Sequence, residues 1–194
     1  MSSDIKIAVV CSSNQNRSME AHHFLNKKGY LVKSFGIGSQ VKLPGPSQSE
    51  PNIFSFETTY DHMFDELSKR DKALYTQNGV LNMLERNRRI KSKPERFQDS
   101  TELFDVIVTV EERVYDVVLE CLENRDNKIG HRPVHIINID IQDNHEEATL
   151  GAFLICDLVS MIVQSDDIDN DIDEVIQHFS EHSNRHLLHT VSFY

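Results

Sequence analysis

Cys11 lies at the start of a loop of small polar residues, although cysteines in proteins mostly sit among apolar neighbours. The stretch AVVCSSNQNRSMEAH begins at Ala8, and five polar residues separate Cys11 from Arg17, which Ser18 follows. A thiol, an arginine and a hydroxyl at this spacing could attack and hold a phosphoryl group. Whether the three side chains meet depends on the secondary-structure elements on either side of the loop.

Regular elements are predicted on both sides of this loop. The apolar, β-branched run Ile5 to Val10 is typical of a buried strand. Met19 to Lys28 has helical spacing and ends at Gly29, which suits a helix C-terminus. Tyr30 to Phe35 predicts a second strand. Strand, loop, helix and strand form a βαβ unit, so we expect a parallel sheet.

A loop between a buried strand and a helix N-terminus can bind an anion. Its backbone N–H groups and the positive end of the helix dipole converge on one point. Arg17 adds a planar guanidinium that can hold two phosphate oxygens. The same field favours the thiolate form of Cys11, to which the Ser18 hydroxyl can donate. The predicted phosphate-binding residues are Ser12, Ser13, Asn14, Gln15, Asn16 and Arg17.

This arrangement indicates covalent phosphoryl transfer through a phosphocysteine. The alternative is a structural cysteine beside a helix cap. Expulsion of a serine alkoxide also needs a general acid, which in an open parallel sheet should come from another loop at the C-terminal strand ends. The loop after Ile141 is such a loop, and Asp143 is the favoured acid. Asp140, which continues the strand pattern, remains an alternative, and His145, Glu146 and Glu147 lie in the same stretch.

The rest of the chain alternates between strand and helix patterns. Strands are predicted at 103–110, 133–141 and 187–194, and helices at 146–164 and 171–182. The Gly- and Pro-rich stretch 36–52 predicts a long loop. Two helices within 56–84 form a helical insertion at about 52–92. A chain of 194 residues with 39% hydrophobic content then predicts a single α/β domain over 1–194.

Composition argues against several partners. The net charge of −11 disfavours direct nucleic-acid binding. No apolar run is long enough to cross a membrane, and the first residues do not resemble a signal peptide, so we expect an intracellular protein. The basic stretch Arg86 to Arg96 predicts a solvated helix end, with an acidic-ligand surface or an import signal as alternatives.

Other side chains that could do chemistry favour structural roles. Cys121 and Cys156 have apolar helical neighbours and are predicted core thiols. His178, His182 and His186 recur at four-residue spacing but have no fourth ligand nearby, so a solvated histidine face is favoured over a metal site. No metal site and no cofactor is predicted.

The sequence resembles the low-molecular-weight class of cysteine phosphatases, in which the nucleophile loop follows the first strand. It is most similar to the eukaryotic RNA polymerase II C-terminal-domain phosphoserine phosphatases of mRNA 3′-end processing. The resemblance is carried by VCSSNQNRSMEAH, VKLPGP, YTQNG, PERFQ, EERVYD and DIQDNHEEATLGAF, and it spans most of the chain. It implies a three-layer, open, mainly parallel sheet with inserted helices.

In this family the nucleophile corresponds to Cys11, the phosphate-binding arginine to Arg17 and the general acid to Asp143. The implied substrate is the tandem heptad repeat of the polymerase, phosphorylated on its fifth-position serine and followed by a cis proline. The resemblance also implies metal-independent catalysis, a nuclear location and the partner symplekin, a scaffold of the cleavage and polyadenylation machinery. Positions that line the family's substrate groove match Lys42, Pro44 and Met83.

Two other functions remain open at this point. A phosphopeptide-binding scaffold would keep Arg17 but has no use for a nucleophilic thiol. An arsenate reductase shares the fold but needs further redox cysteines, for which only Cys121 and Cys156 are available.

Overall fold

The computed structural model describes residues 5–125 and 130–194. The strands in this part of the chain are β1 (Lys6–Cys11), β2 (Leu31–Gly36), β3 (Val41–Leu43), β4 (Asn52–Phe54), β5 (Val106–Thr109), β6 (Pro133–Ile139) and β7 (Leu187–Phe193). The helices are α1 (Arg17–Lys27), α2 (Tyr60–Gln77), α3 (Val80–Ile90), α4 (Glu112–Glu123), α5 (His145–Gln164) and α6 (Ile168–Ser183), with a short 3-10 helix at Phe97–Asp99.

The central sheet has the strand order β2-β1-β5-β6-β7. The first four strands run parallel, and Val9 of β1 lies between Ser34 of β2 and Val108 of β5. Among the described strands of this sheet, β7 alone runs antiparallel, beside β6. The predicted parallel βαβ unit is confirmed. The C-terminal ends of β1, β5 and β6 therefore meet at one edge, where loops from all three strands can build one site.

Side chains of β1 alternate between two hydrophobic cores, as the pleat of a strand requires. Ile7, Val9 and Cys11 face a core formed with α1, α5 and α6, whereas Ala8 and Val10 face a core formed with α4 and the 3-10 helix. Helices thus cover both faces of the sheet. The predicted α/β class, a three-layer open and mainly parallel sheet, is confirmed.

The two helices predicted between the second and third sheet strands are present as α2 and α3. Thr59 caps α2 by accepting a hydrogen bond from the His62 N–H group at 3.2 Å. Gly79, with φ of +83°, turns the chain into α3, a backbone conformation that favours glycine. Both helices pack in a third hydrophobic core with Met19 of α1. That 52–92 is an insertion in a single domain stays a prediction.

The stretch 36–52 is not a loop throughout, as the sequence predicted. Val41–Leu43 and Asn52–Phe54 pair as a two-stranded antiparallel sheet. Each strand has only three residues, and Val41, Leu43 and Phe54 join the core of α2 and α3. Three residues are too few to show the alternation of apolar and polar side chains by which a strand is recognised in a sequence. These strands are stabilised by burial of their side chains against the helices.

The two other cysteines and the spaced histidines agree with their sequence-based interpretation. Cys156 is buried in the core, and Cys121 is partly buried against the core of α4. His178, His182 and His186 are exposed. Among residues 5–125 and 130–194, no group of His, Cys, Asp and Glu has the arrangement to hold a metal ion. No helix in these ranges is long and apolar enough to span a bilayer.

His22 links α1 to β2 and gives the fold a pH dependence. Its Nδ1 lies 2.8 Å from Ser34 Oγ, and burial lowers the pKa of His22 from 6.5 to about 4. Between these values the unfolded chain binds a proton that the folded chain does not, so stability falls as the pH drops from 6.5 towards 4. We expect wild type to lose about 2 kcal/mol more unfolding free energy than His22→Gln between pH 7 and pH 5.

Urea unfolding of both proteins at the two pH values measures this difference. All other titrating groups are common to the pair, so their contributions cancel. Equal losses in the two proteins would contradict a neutral, buried His22.

Candidate active site

Cys11 is the last residue of β1, and its side chain is buried where the loop turns into α1. Its Sγ lies 3.0 Å from Ser18 Oγ, and the Asn14 N–H group donates to Sγ at 3.3 Å. Asn14 Nδ2 also donates to Ser18 Oγ at 3.0 Å. A hydroxyl can accept through a lone pair and donate its hydrogen at the same time. Ser18 Oγ can therefore accept from Asn14 while its hydrogen is donated to a Cys11 thiolate.

Asn14 holds the shape of the loop. It is fully buried and has φ of +54°, which is uncommon for a residue with a side chain. Its carbonyl accepts a hydrogen bond from Tyr60 Oη at 2.7 Å, and its Oδ1 accepts one from the Glu95 N–H group. Burial raises the pKa of Tyr60 well above its usual value, so the hydroxyl remains a donor. The Asn14 side chain therefore fixes the conformation of the loop, and the backbone N–H group of Asn14 points towards the Cys11 thiol.

Arg17 is the first residue of α1 and is 4% exposed. One terminal nitrogen donates to Glu111 Oε2 at 2.8 Å and to the Ile141 carbonyl at 2.9 Å, and the other donates to Ser12 Oγ at 3.4 Å. Burial opposes the charge on Arg17, but Cys11 and the acidic side chains around the guanidinium raise its pKa above the ordinary value. The guanidinium is thus fixed and charged beside the thiol.

Asp143 lies at the mouth of the site, beside Arg17. Its Oδ1 is 3.6 Å from Arg17 Nε and accepts a hydrogen bond from Asn16 Nδ2 at 3.0 Å. Asn144 follows and caps α5 by accepting from the Glu147 N–H group at 2.8 Å. The start of α5 therefore fixes the position of Asp143, and the Asp143 side chain is 60% exposed to solvent.

Asp140, the alternative acid, lies apart from the thiol. It accepts a hydrogen bond from Asn138 Nδ2 at 3.0 Å and borders a neighbouring depression that Arg17 and Asp143 also line. It does not line the cavity that contains Cys11. This geometry favours Asp143 over Asp140.

One cavity of about 120 Å³ brings most of the sequence-predicted residues together. Ser13, Gln15 and Asn16 line it, whereas Ser12 and Asn14 lie behind its wall. Neither Cys121 nor Cys156 reaches it. The full lining is Cys11, Ser13, Gln15, Asn16, Arg17, Lys42, Leu43, Pro44, Asn78, Gly79, Val80, Met83, Asp143, Asn144 and His145.

The groove residues Lys42, Pro44 and Met83 come from two separate elements. Lys42 and Pro44 belong to the chain at β3, and the Lys42 N–H group donates to Ser13 Oγ at 3.2 Å. Met83 projects from α3 on the other side of the cavity. The short sheet and α3 therefore form two walls of a groove that leads to Cys11.

Sequence reasoning did not identify Glu111 as part of the site. Glu111 follows β5, whose C-terminal end lies beside that of β1, and its carboxylate pairs with Arg17 at 2.8 Å. The rule that places functional loops at the C-terminal strand ends could have found it. Asn78 and Gly79 lie in the stretch YTQNG that carries the resemblance, but no site role was predicted for them or for Val80, because their place in the cavity wall depends on the packing of α3.

The interpretation of Arg86 to Arg96 as a solvated helix end was wrong for its most buried members. Arg86 has a 13% exposed side chain and is paired with Glu20, and burial lowers its pKa to about 10. Lys91 donates to the Ser34 carbonyl at 2.7 Å and to Glu95. These cations bind carboxylates and carbonyls inside the protein, so they contribute no free basic surface.

The chain matches a known family and curated proteins over almost its whole length. The family described as Ssu72-like protein matches residues 5–194. The human and mouse proteins named as the SSU72 phosphatase of the RNA polymerase II C-terminal domain are each 60% identical over 193 residues, covering 100% of this chain and 99% of those proteins.

Solved structures agree with this match. A Drosophila melanogaster Ssu72 with symplekin, bound to a cis peptidomimetic CTD peptide phosphorylated on its fifth-position serine, is 54% identical, covers 99% of this chain and 100% of that chain, and has a TM-score of 0.95. A Drosophila melanogaster structure described as the serine phosphatase of the RNA polymerase II CTD is 55% identical, covers 98% of this chain and 100% of that chain, and has a TM-score of 0.95.

Proposed function

The chain belongs to the Ssu72-like protein family, and from this premise we propose that it is a protein-serine phosphatase acting on the RNA polymerase II C-terminal repeat. The proposal is carried by one observation. Cys11, Arg17 and Asp143 line one groove, and the buried Ser18 Oγ lies 3.0 Å from Cys11 Sγ. A scaffold that only bound phosphopeptides would need Arg17 but no thiol poised in this way.

The first chemical step is attack of the Cys11 thiolate on phosphorus. The Ser18 hydroxyl and the Asn14 N–H group stabilise the thiolate, and Arg17 holds the phosphate oxygens. The bond from sulfur to phosphorus forms as the bond from phosphorus to the serine oxygen breaks. The phosphoryl group is thereby transferred to Cys11 as a phosphocysteine.

Asp143 protonates the departing serine oxygen. A serine alkoxide is a poor leaving group, so a positioned acid lowers the barrier. In the second step the same carboxylate takes a proton from water, whose oxygen bonds to phosphorus as the bond from sulfur to phosphorus breaks, so inorganic phosphate leaves and the Cys11 thiolate is regenerated. Asp143 gives one proton to the serine oxygen and regains one from water, so both steps need only residues of this chain and water.

The substrate groove supports the assignment of the fifth-position serine. The Drosophila relative binds a cis peptidomimetic of the repeat phosphorylated at that position, and Lys42, Pro44 and Met83 line the cavity that contains Cys11. We propose the same substrate here, with the following proline in cis. The symplekin complex of that relative supports symplekin as a partner, and a role in mRNA 3′-end processing in the nucleus.

A panel of singly phosphorylated heptad peptides tests this function. We expect phosphate release to be fastest from the peptide phosphorylated on the fifth-position serine. Replacing its next proline with a trans-locked analogue should prevent release. No release from any peptide would contradict the phosphatase assignment, whereas equal rates on all serines would contradict the groove assignment.

We expect vanadate to inhibit the enzyme and a chelator to leave it unaffected. Vanadate mimics the trigonal-bipyramidal transition state, which the loop and Arg17 are arranged to bind. The mechanism uses a thiolate, an arginine and a carboxylic acid, and no step needs a metal. Steady-state rates with EDTA, and with vanadate at rising concentration, measure both effects. Loss of activity in EDTA that a divalent cation restores would overturn this mechanism.

A further inference from the structure

The loop between β1 and α1, residues 12–16, is here called the phosphate loop. On its outer side it bears carbonyl oxygens that need hydrogen-bond donors. A loop that presents N–H groups to an anion directs neighbouring carbonyls away from it, into the protein. The Gln15 carbonyl accepts hydrogen bonds from Arg86 and from Asn87 Nδ2, each at 2.9 Å. A terminal nitrogen of Arg86 also lies 3.5 Å from the Asn16 carbonyl. Two adjacent residues of α3 thus hold the loop from behind.

Arg86 is fixed in this position by further contacts. Its guanidinium pairs with Glu20 of α1 and donates to Asn87 Oδ1 at 3.1 Å. Glu20 is only 8% exposed and also accepts a hydrogen bond from Thr149 Oγ1 at 3.3 Å. A buried guanidinium with a buried carboxylate partner is costly to desolvate, and its contacts must be well formed to compensate. A surface charge has no need of such burial, so the position of Arg86 calls for a structural or catalytic reason.

The same helix contributes to the substrate groove. Residues three and four apart share a helix face, and Met83 precedes Arg86 by three positions and Asn87 by four. Met83 lines the cavity that contains Cys11, whereas Arg86 and Asn87 bind the loop. One face of α3 therefore contacts both the groove and the back of the phosphate loop.

We propose that Arg86 is a positioning residue for the phosphatase reaction, holding the carbonyls of Gln15 and Asn16 so that the loop N–H groups face the phosphate. The inference rests on the proposed function. Arg86 itself touches neither substrate phosphate nor Cys11 in this role. It acts through the peptide units on which the anion-binding N–H groups lie.

Only a guanidinium can make all these contacts at once. It offers five N–H donors in a plane, whereas a lysine ammonium is a point charge with a different reach. Arg86→Lys preserves the charge opposite Glu20 but loses the planar set of donors. We expect Arg86→Lys to lower kcat/KM by about 10- to 100-fold, the effect of losing hydrogen bonds to a charged donor.

The inhibition constant of vanadate separates positioning from a merely structural role. Partial unfolding reduces the concentration of active enzyme and leaves that constant unchanged in the molecules that stay folded. A displaced loop weakens binding of the transition-state mimic in every molecule. We expect the vanadate constant of Arg86→Lys to rise in parallel with the fall in kcat/KM. A wild-type vanadate constant would overturn the inference.

Two controls keep the test specific. Arg89→Lys alters an arginine on the same helix that is 74% exposed and pairs with Glu85, so its vanadate constant should match wild type. Arg86→Ala leaves a space beside a solvent-open depression lined by His23, Phe24 and Asn82. Free guanidinium should enter this space and lower the vanadate constant of Arg86→Ala, whereas sodium chloride at equal ionic strength should not.

The outcomes distinguish the positioning role from the proposed function. Wild type that hydrolyses the phosphoserine peptide, together with an Arg86→Lys variant of unchanged vanadate constant, contradicts only the positioning role. Wild type that releases no phosphate contradicts both. A raised vanadate constant of Arg86→Ala that free guanidinium does not lower also contradicts the positioning role.

Discussion

Cys11→Ser should abolish release of phosphate from the peptide phosphorylated on the fifth-position serine and leave binding of that peptide intact. A serine hydroxyl is un-ionised near neutral pH and is a far weaker nucleophile than a thiolate, so the covalent step cannot proceed at a useful rate. Loss of a nucleophile lowers turnover by roughly 10⁴-fold or more. The loop N–H groups and Arg17 do not depend on the sulfur atom, because Arg17 is held by Glu111 and the Ile141 carbonyl.

Rapid-quench turnover and fluorescence anisotropy of a labelled phosphopeptide measure the two effects. Arg17→Ala is the matched control, because it removes the anion receptor and should lose both binding and turnover. Turnover of Cys11→Ser near the wild-type rate would rule out a phosphocysteine. Loss of peptide binding in Cys11→Ser would show that the thiol also supports the loop.

Asp143→Asn should lower turnover of the phosphoserine peptide by on the order of 10²–10⁴, which is the usual contribution of a positioned acid. The amide keeps the size of the side chain and can still contact Asn16, but it cannot donate the proton that the serine oxygen needs. An activated aryl phosphate expels a stable phenolate and needs little protonation. Its first, phosphorylation step should therefore be affected much less.

Burst kinetics on both substrates measure the two steps separately. The slow phase of Asp143→Asn should lengthen even with aryl phosphate, because the same carboxylate activates water in the second step. Asp140→Asn is the control, since Asp140 lies outside the cavity that contains Cys11, and we expect near-wild-type rates from it. A leaving-group-dependent loss in Asp140→Asn alone would assign the acid to Asp140.

The candidate catalytic residues could be proposed from the sequence because they lie in short stretches of chain with recognisable patterns. The spacing from Cys11 to Ser18 fixes a loop between a strand and a helix, and the end of a parallel strand fixes which edge of the sheet holds the partner loop. These two facts indicate the loop after Ile141, which contains Asp143. The choice between Asp143 and Asp140 depends on how far β6 extends, and β6 ends at Ile139, two residues earlier than predicted.

The residues that support the site were not predictable, because their partners are distant in sequence. Arg86 binds the carbonyl of Gln15 across 71 positions, and Tyr60 binds that of Asn14 across 46. A run of basic residues at the end of a helix is usually solvated, and nothing in its composition shows which arginine turns inward. Tertiary packing of α2 and α3 decides this, and the sequence period does not encode it.

The contact between Arg17 and Asp143 places the phosphate receptor next to the proton donor. Arg17 Nε lies 3.6 Å from Asp143 Oδ1. In the proposed reaction a substrate phosphate that binds Arg17 arrives beside Asp143, which stays in place to protonate the serine oxygen. Glu111, paired with Arg17 at 2.8 Å, compensates the guanidinium whether or not phosphate is bound. Arg17 is in this sense a common anchor, because the side chain that holds the phosphoryl group also sets how far the acid lies from the bond that breaks.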